Sequence, residues 1–172
     1  MKRLYLLRHA KAAPGEAEDD DFTRTLALSG IQDGARMARW LRENGHVPDL
    51  ILASAAARAA QTAELLLQQI KTDIEYRDTL YLAEAAKLVA AARGAPAATA
   101  SLMIVGHNPG LEDAALLLAD TPPRRAEPGR PGRLGEKFPT CALAILDFDI
   151  GRWRDVREGG GRWVEFVRPM DI

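Results

Sequence analysis

The chain has 172 residues, 47% of them hydrophobic and 27% charged, which fits one globular domain with a sizeable core and excludes a disordered or collagen-like chain. Lys plus Arg number 23 against 24 Asp plus Glu, so a net charge of -1 gives no global attraction for nucleic acid or an anionic membrane. Cys141 stands alone, which excludes an internal disulfide and a Cys-based zinc site, and its alternating apolar neighbours predict a core thiol.

In chain order, Leu4-Tyr5-Leu6-Leu7 is a short continuous apolar run that reads as a strand buried on both faces. It stops at Arg8-His9, too early for a signal peptide, and no later run is long enough to span a bilayer, so a cytoplasmic protein is expected. A helix is predicted to begin at Ser29, acting as N-cap with Gln32 completing a capping box, to bury Ile31, Ala35, Ala38 and Leu41, and to stop at Gly45. Leu50-Ile51-Leu52 is the next buried strand, followed by a helix over 56–70 with Ala59, Ala63, Leu66 and Ile70 on one stripe. Further helices are expected near Glu84 to Arg93 and Leu111 to Ala119, on either side of the strand Leu102-Met103-Ile104-Val105. Thr121 to Pro139 is rich in Pro, Gly and Arg and reads as an exposed loop. Ala142 to Phe148, Trp153 to Arg157 and Arg162 to Val167 read as strands added at the sheet edge. The alternation of strands and helices predicts an α/β fold, a three-layer α/β/α sandwich with a mostly parallel central sheet and antiparallel C-terminal edge strands.

In such sheets ligands bind at the carboxyl ends of the strands. Three polar segments follow the apolar runs: Leu7-Arg8-His9-Ala10-Lys11, then Ser54 leading to Arg58 and Thr62, then Gly106-His107-Asn108-Pro109-Gly110. Two His and two Arg should therefore converge on one crevice. No GxGxxG follows a strand and no GxxxxGK[ST] is present, so a nucleotide-binding loop is not predicted.

With these motifs the chain resembles the histidine phosphatase superfamily, also called phosphoglycerate-mutase-like, whose signature is an Arg-His pair ending the first strand. The Leu-Arg-His-Ala-Lys segment, Arg24-Thr25-Leu26 before Gly30, Ser54 to Thr62, Gly-His-Asn-Pro and Phe138-Pro139-Thr140 are similar to the short bacterial phosphohistidine phosphatases of the SixA group. The resemblance implies that His9 is the nucleophile and that Arg8, Arg58 and His107 clamp the phosphoryl group, with Arg24 as a further phosphate contact. It implies neither metal nor organic cofactor, since guanidinium and imidazole groups can hold the charge of a phosphoryl transition state. Ser54 and Asn108 are expected to orient loops, Lys11 to be a solvated rim residue, and His46 to sit exposed in a turn.

Ester-cleaving members of that family carry a Glu after the third strand as proton donor. Here Leu80-Tyr81-Leu82 occupies that place, and the acid could be Glu84, Asp78 or neither. An alkoxide leaving group needs a proton more than an imidazole does, so loss of the Glu points to a P–N substrate. The expected activity is removal of a phosphoryl group from a phosphohistidine-containing phosphotransfer or phosphorelay protein, releasing inorganic phosphate. The alternatives are a small-molecule phosphomonoesterase and a phosphate- or phosphopeptide-binding module that does not turn over; mutase chemistry is least favoured.

Overall fold

In a computed structural model of the chain, residues 1–15, 20–121 and 138–172 are described. Six strands form one sheet: β1 (Lys2–Arg8), β2 (Leu50–Ser54), β3 (Asp73–Arg77), β4 (Ser101–Gly106), β5 (Leu143–Phe148) and β6 (Gly161–Val167). Their spatial order is β3-β2-β4-β1-β5-β6. The first four strands are parallel, whereas β5 runs antiparallel to β1 and β6 antiparallel to β5. Four helices join them: α1 (Leu28–Glu43), α2 (Ala57–Leu67), α3 (Ala85–Arg93) and α4 (Gly110–Leu118).

The three layers follow from the pleat. Successive side chains of a strand point to opposite faces, and β1 sends Leu4 and Leu6 into one core cluster and Tyr5 and Leu7 into another. The first cluster is completed by Leu88 and Val89 of α3 and Leu111, Ala114 and Leu118 of α4. The second is completed by Met37, Ala38 and Leu41 of α1 and Ala59, Ala63 and Leu66 of α2. Both faces of the central strands are therefore dry, which is why their sequences read as unbroken apolar runs rather than as alternations.

Several expectations need correction. The N-cap of α1 is Ala27, not Ser29, and no side chain caps this end. The Lys11 main chain takes that role: its carbonyl accepts from Ala27 N at 2.9 Å, and a Cβ on Gly30 would stand 2.1 Å from the same oxygen. The close approach of the Lys11 main chain to Gly30 puts that face inward, so the buried stripe is Gly30, Gly34, Met37, Ala38 and Leu41, and Ile31 is exposed. Trp153 to Arg157 is not a strand; Trp153–Asp155 form a single 3₁₀ turn that drives the indole into the core, where Trp153 Nε1 donates to Thr99 O at 2.8 Å. Strand β3 is absent from the apolar runs because it is an edge strand written Asp-Ile-Glu-Tyr-Arg, with none of its residues fully buried. Most of the predicted loop after Thr121, residues 122–137, lies outside the described residues. Its last part is not exposed, since Phe138 is fully buried against Phe166. Among the described residues no helix is long and apolar enough to cross a membrane.

Candidate active site

The parallel strands β2, β4 and β1 lie side by side and end at one edge, and the residues just beyond those ends meet there. His9 follows β1, with its main-chain N–H donating to Gly106 O at 3.0 Å. Its ring Nδ1 lies 2.7 Å from Ala10 O. A carbonyl can only accept, so Nδ1 carries the hydrogen and Nε2 keeps its lone pair. The Ala10 peptide is fixed from its other side by Thr62 of α2: Ala10 N donates to Thr62 Oγ1 at 2.9 Å, and that hydroxyl donates to Arg58 O at 2.6 Å. A buried threonine thus ties the His9 loop to the first turn of α2.

Arg58 stands in that turn and is only 3% exposed. Its Nε donates toward His9 Nε2 at 3.3 Å, and one terminal nitrogen reaches His107 Nδ1 at 3.4 Å. The opposite edge of the guanidinium meets Asp21, with Nη1 donating to Asp21 O at 2.6 Å and Nη2 to Asp21 Oδ2 at 3.0 Å. His107 follows β4, its Nε2 2.8 Å from Ser54 Oγ and its ring centroid 5.1 Å from that of His9. Since Arg58 can only donate, His107 Nδ1 accepts, and Nε2–H donates to the serine.

Arg8 projects from the end of β1. Its Nη1 donates to Phe138 O at 2.7 Å, while its Nε is buried without a hydrogen-bond partner among the described residues. Asn108 Nδ2 donates to the same Phe138 carbonyl at 3.2 Å and to Glu112 at 3.1 Å. Arg24 Nε lies 3.1 Å from Asp21 Oδ1, close enough for an ion pair but without hydrogen-bond geometry. These groups line one open cleft of about 510 Å³ together with Lys11, Ala12, Leu82 and Thr140. A second hollow, of about 320 Å³ between α1 and α2 and bordered by Ile31, Glu64 and Leu65, holds none of these imidazole and guanidinium groups.

The electrostatics favour an uncharged pair of imidazoles. Burial above all pushes His9 down to about 4; the Ala10 carbonyl pulls it back in part, and the neighbouring Arg58, Arg8 and Arg24 lower it further. Burial, His9 and Arg58 push His107 down to about 3. Both rings are therefore neutral at pH 7, and His9 Nε2 keeps a lone pair at the cleft, met there by the long Arg58 Nε–H contact of 3.3 Å. The Cys141 thiol is pushed up to about 12 by burial and is inert beside them.

All five residues expected at the site, Arg8, His9, Arg24, Arg58 and His107, border this cleft. Lys11 and Asn108 border it as well, and Ser54 touches His107 from behind. Glu84 and Asp78 do not; Glu84 is the N-cap of α3 and Asp78 begins the 3₁₀ turn after β3. His46 is at the far end of the sheet, half-buried rather than exposed, stacked on Trp40 at 5.1 Å. Sequence reasoning missed Asp21 and Tyr81. Asp21 lies in a run of acidic residues that reads as a solvated stretch, and Tyr81 in a segment noted only for lacking a Glu. Among the described residues no group of three or more His, Cys, Asp or Glu could hold a metal ion.

The sequence model of the histidine phosphatase superfamily (branch 1) matches residues 4–107. An uncharacterized protein of Mycobacterium tuberculosis is 34% identical over 164 residues, covering 95% of this chain and 99% of the relative. Among solved structures, a candidate phosphohistidine phosphatase SixA of Agrobacterium tumefaciens superposes with a TM-score of 0.77 at 31% identity over 98% of both chains. A candidate SixA of Nakamurella multipartitia superposes with a TM-score of 0.80 at 28% identity, covering 98% of this chain and 96% of that one. The chain belongs to the histidine phosphatase superfamily.

Proposed function

We propose that this protein is a metal-independent phosphohistidine phosphatase that works through a phosphoryl group held on His9. The observation that carries the reading is the His9 Nε2 lone pair, fixed by the Nδ1 contact to Ala10 O at 2.7 Å and facing Arg58 Nε at 3.3 Å. A neutral imidazole of set tautomer, beside a guanidinium that can bind the oxygens of the group it attacks, is the arrangement nucleophilic phosphoryl transfer requires.

In the first step His9 Nε2 attacks phosphorus in line, the P–N bond of the substrate phosphohistidine breaks, and its electron pair leaves with the substrate imidazole, which takes its proton from solvent. His9 then carries the phosphoryl group on Nε2 and keeps its hydrogen on Nδ1. In the second step water attacks phosphorus, the P–Nε2 bond breaks, and the pair returns to Nε2. Inorganic phosphate leaves, and the water proton passes to the phosphate or to solvent. Arg8, Arg58 and Arg24 hold the equatorial oxygens throughout; Arg8 Nε, without a partner among the described residues, supplies a ready donor. His107 joins them by taking up a proton once a dianion lies beside it, since its Nδ1 otherwise offers a lone pair.

The substrate class rests on two features. Neither Glu84 nor Asp78 lines the cleft to protonate an alkoxide, and the cleft is open enough to receive a side chain of a partner protein. Relatives in solved structures assigned to SixA support the same class. The phosphorylated partner would be a phosphotransfer or phosphorelay protein. Cytoplasmic placement belongs to this reading as well.

The test compares phosphoimidazole and a histidine-phosphorylated phosphotransfer protein with a panel of phosphomonoesters, each with and without EDTA. P–N substrates should turn over at least tenfold faster in kcat/KM, with EDTA without effect. Preference for an ester would favour the phosphomonoesterase alternative, and binding without turnover would favour a phosphate-binding module.

A further inference from the structure

We propose that Asp21 is the positioning residue of this site: it sets the orientation of the Arg58 guanidinium toward the two imidazoles and, by its charge, loosens the hold on inorganic phosphate. The inference rests on the reading of the cleft as a phosphotransfer centre.

A guanidinium is a planar fork with two usable edges. In Arg58 one edge, Nε with a hydrogen of Nη2, faces His9 Nε2 at 3.3 Å and His107 Nδ1 at 3.4 Å. The other edge, Nη1 with the second hydrogen of Nη2, is taken by the Asp21 main-chain oxygen at 2.6 Å and carboxylate at 3.0 Å. Because the fork is rigid, anchoring one edge fixes the other. A side chain only 3% exposed also needs a counter-charge to remain stable where it is. Without Asp21, rotation about the Cγ–Cδ and Cδ–Nε bonds of Arg58 would swing the rigid fork and turn a different edge to the phosphoryl group.

Asp21 is itself held. Tyr81, from the turn after β3, donates its hydroxyl to the same Oδ2 atom that accepts from Arg58. The tyrosine ring is fixed edge-on between Phe22, at 5.0 Å, and His107, at 5.4 Å. Arg24 faces Oδ1 at 3.1 Å. Tyr81, Arg58 and Arg24 hold the Asp21 carboxyl below the ordinary range, so it is ionised across the neutral region. Among the described residues, the charged and titratable groups that act on its carboxyl are these three, and His107 stands one guanidinium away.

The same charge has a second consequence. Among the described residues Asp21 is the one acidic side chain that lines the cleft, against the cations Arg8, Lys11, Arg24 and Arg58. Placed on the far side of Arg58, its carboxylate opposes a phosphate dianion. Oriented donors favour the transition state, whereas the carboxylate weakens binding of the ground-state product, and only the difference between the two accelerates turnover.

That division gives a signature which a merely structural residue would not produce. Asp21→Asn keeps the size and one acceptor oxygen but removes the charge. With phosphoimidazole as substrate, kcat should fall about 10- to 100-fold, the scale expected when a catalytic group is misplaced by about an ångström. Inorganic phosphate, titrated calorimetrically, should bind about fivefold more tightly once the opposing charge is gone. Tyr81→Phe should lower kcat by less and leave phosphate affinity unchanged, because the carboxylate remains. Unchanged kcat in Asp21→Asn overturns the inference. So does a parallel loss of kcat and phosphate affinity, which would make Asp21 a structural anchor only. If wild-type enzyme never carries phosphate on His9, the reading of the site fails separately. The phosphate titration, which needs no turnover, still decides the charge effect.

Discussion

The parallel half of the sheet and its C-terminal flank reach the same cleft in different ways. Strands β2, β4 and β1 end there, and each contributes side chains at or soon after its last residue: Ser54 and Arg58, His107, Arg8 and His9. Strand β5 runs the other way, so its beginning lies at the cleft, and there the backbone does much of the work. Phe138 O receives both Arg8 and Asn108, and Cys141 N donates to the main-chain oxygens of Arg8 and His9 at 3.1 and 3.0 Å. In the proposed reaction the parallel half carries the chemistry, and the flank holds the backbone beneath it. Substitutions in the first should therefore change rates, and substitutions in the second should change stability.

The largest expected effect tests the first half of that contrast. Arg58→Lys keeps the charge but loses the planar fork, so it cannot face His9 and Asp21 at once. By analogy with removal of one preorganised transition-state donor, kcat/KM should fall by about 2–4 kcal/mol, with the thermal midpoint little changed. Wild-type kinetics in this variant would mean that Arg58 is only an ion-pair partner.

Next comes the backbone of the His107 loop. A Cβ on Gly110 would stand 1.9 Å from Ala83 O, a main-chain atom that cannot swing aside. Gly110→Ala should therefore push α4 away from Ala83 and lower stability by about 1–3 kcal/mol or more, read by denaturant unfolding, with activity falling as His107 shifts. A stable and fully active variant would show that the loop has slack.

A pH titration sharpens the role of His107. Burial holds its empty-site value down at about 3, and a bound dianion raises it, so between those two values binding takes up one proton. Affinity should rise as pH falls. Sulfate keeps its charge across this range, and its association constant should rise by up to about tenfold per pH unit between pH 7 and 5, the limit for one linked proton. A pH-independent constant would mean that His107 meets the anion as a neutral ring.

The smallest effect belongs to the flank. Asp147 of β5 is 5% exposed and pairs with Arg3 at 2.6 Å and Arg162 at 2.9 Å, but both arginines are partly solvated. Asp147→Ala should lower stability by only about 1 kcal/mol, since solvent screens the pair, and leave kcat unchanged. A large drop in kcat would mean that flank and cleft are coupled more closely than the geometry indicates.

How far the sequence could be read follows from the same contrast. Strands buried on both faces must be continuously apolar, so β1, β2 and β4 were legible, and with them the places where Arg8, His9 and His107 had to stand. Strand β3 was not, because an edge strand with one solvated face carries charges. The start of α1 was misplaced because the Lys11 main chain, distant from any local capping signal, supplies its partner. Asp21 and Tyr81 were invisible for a related reason. Their role arises only when a turn after β1 and a turn after β3, 60 residues apart, are brought to one side of Arg58.

The central claim is that His9 carries the phosphoryl group. Rapid denaturation at neutral to alkaline pH during turnover of a ³²P-labelled phosphohistidine protein, followed by peptide mapping, tests it most directly. An alkali-stable, acid-labile label on the peptide containing His9, lost with turnover in His9→Ala, is the predicted result. Label on another residue, or undiminished turnover in His9→Ala, would contradict it.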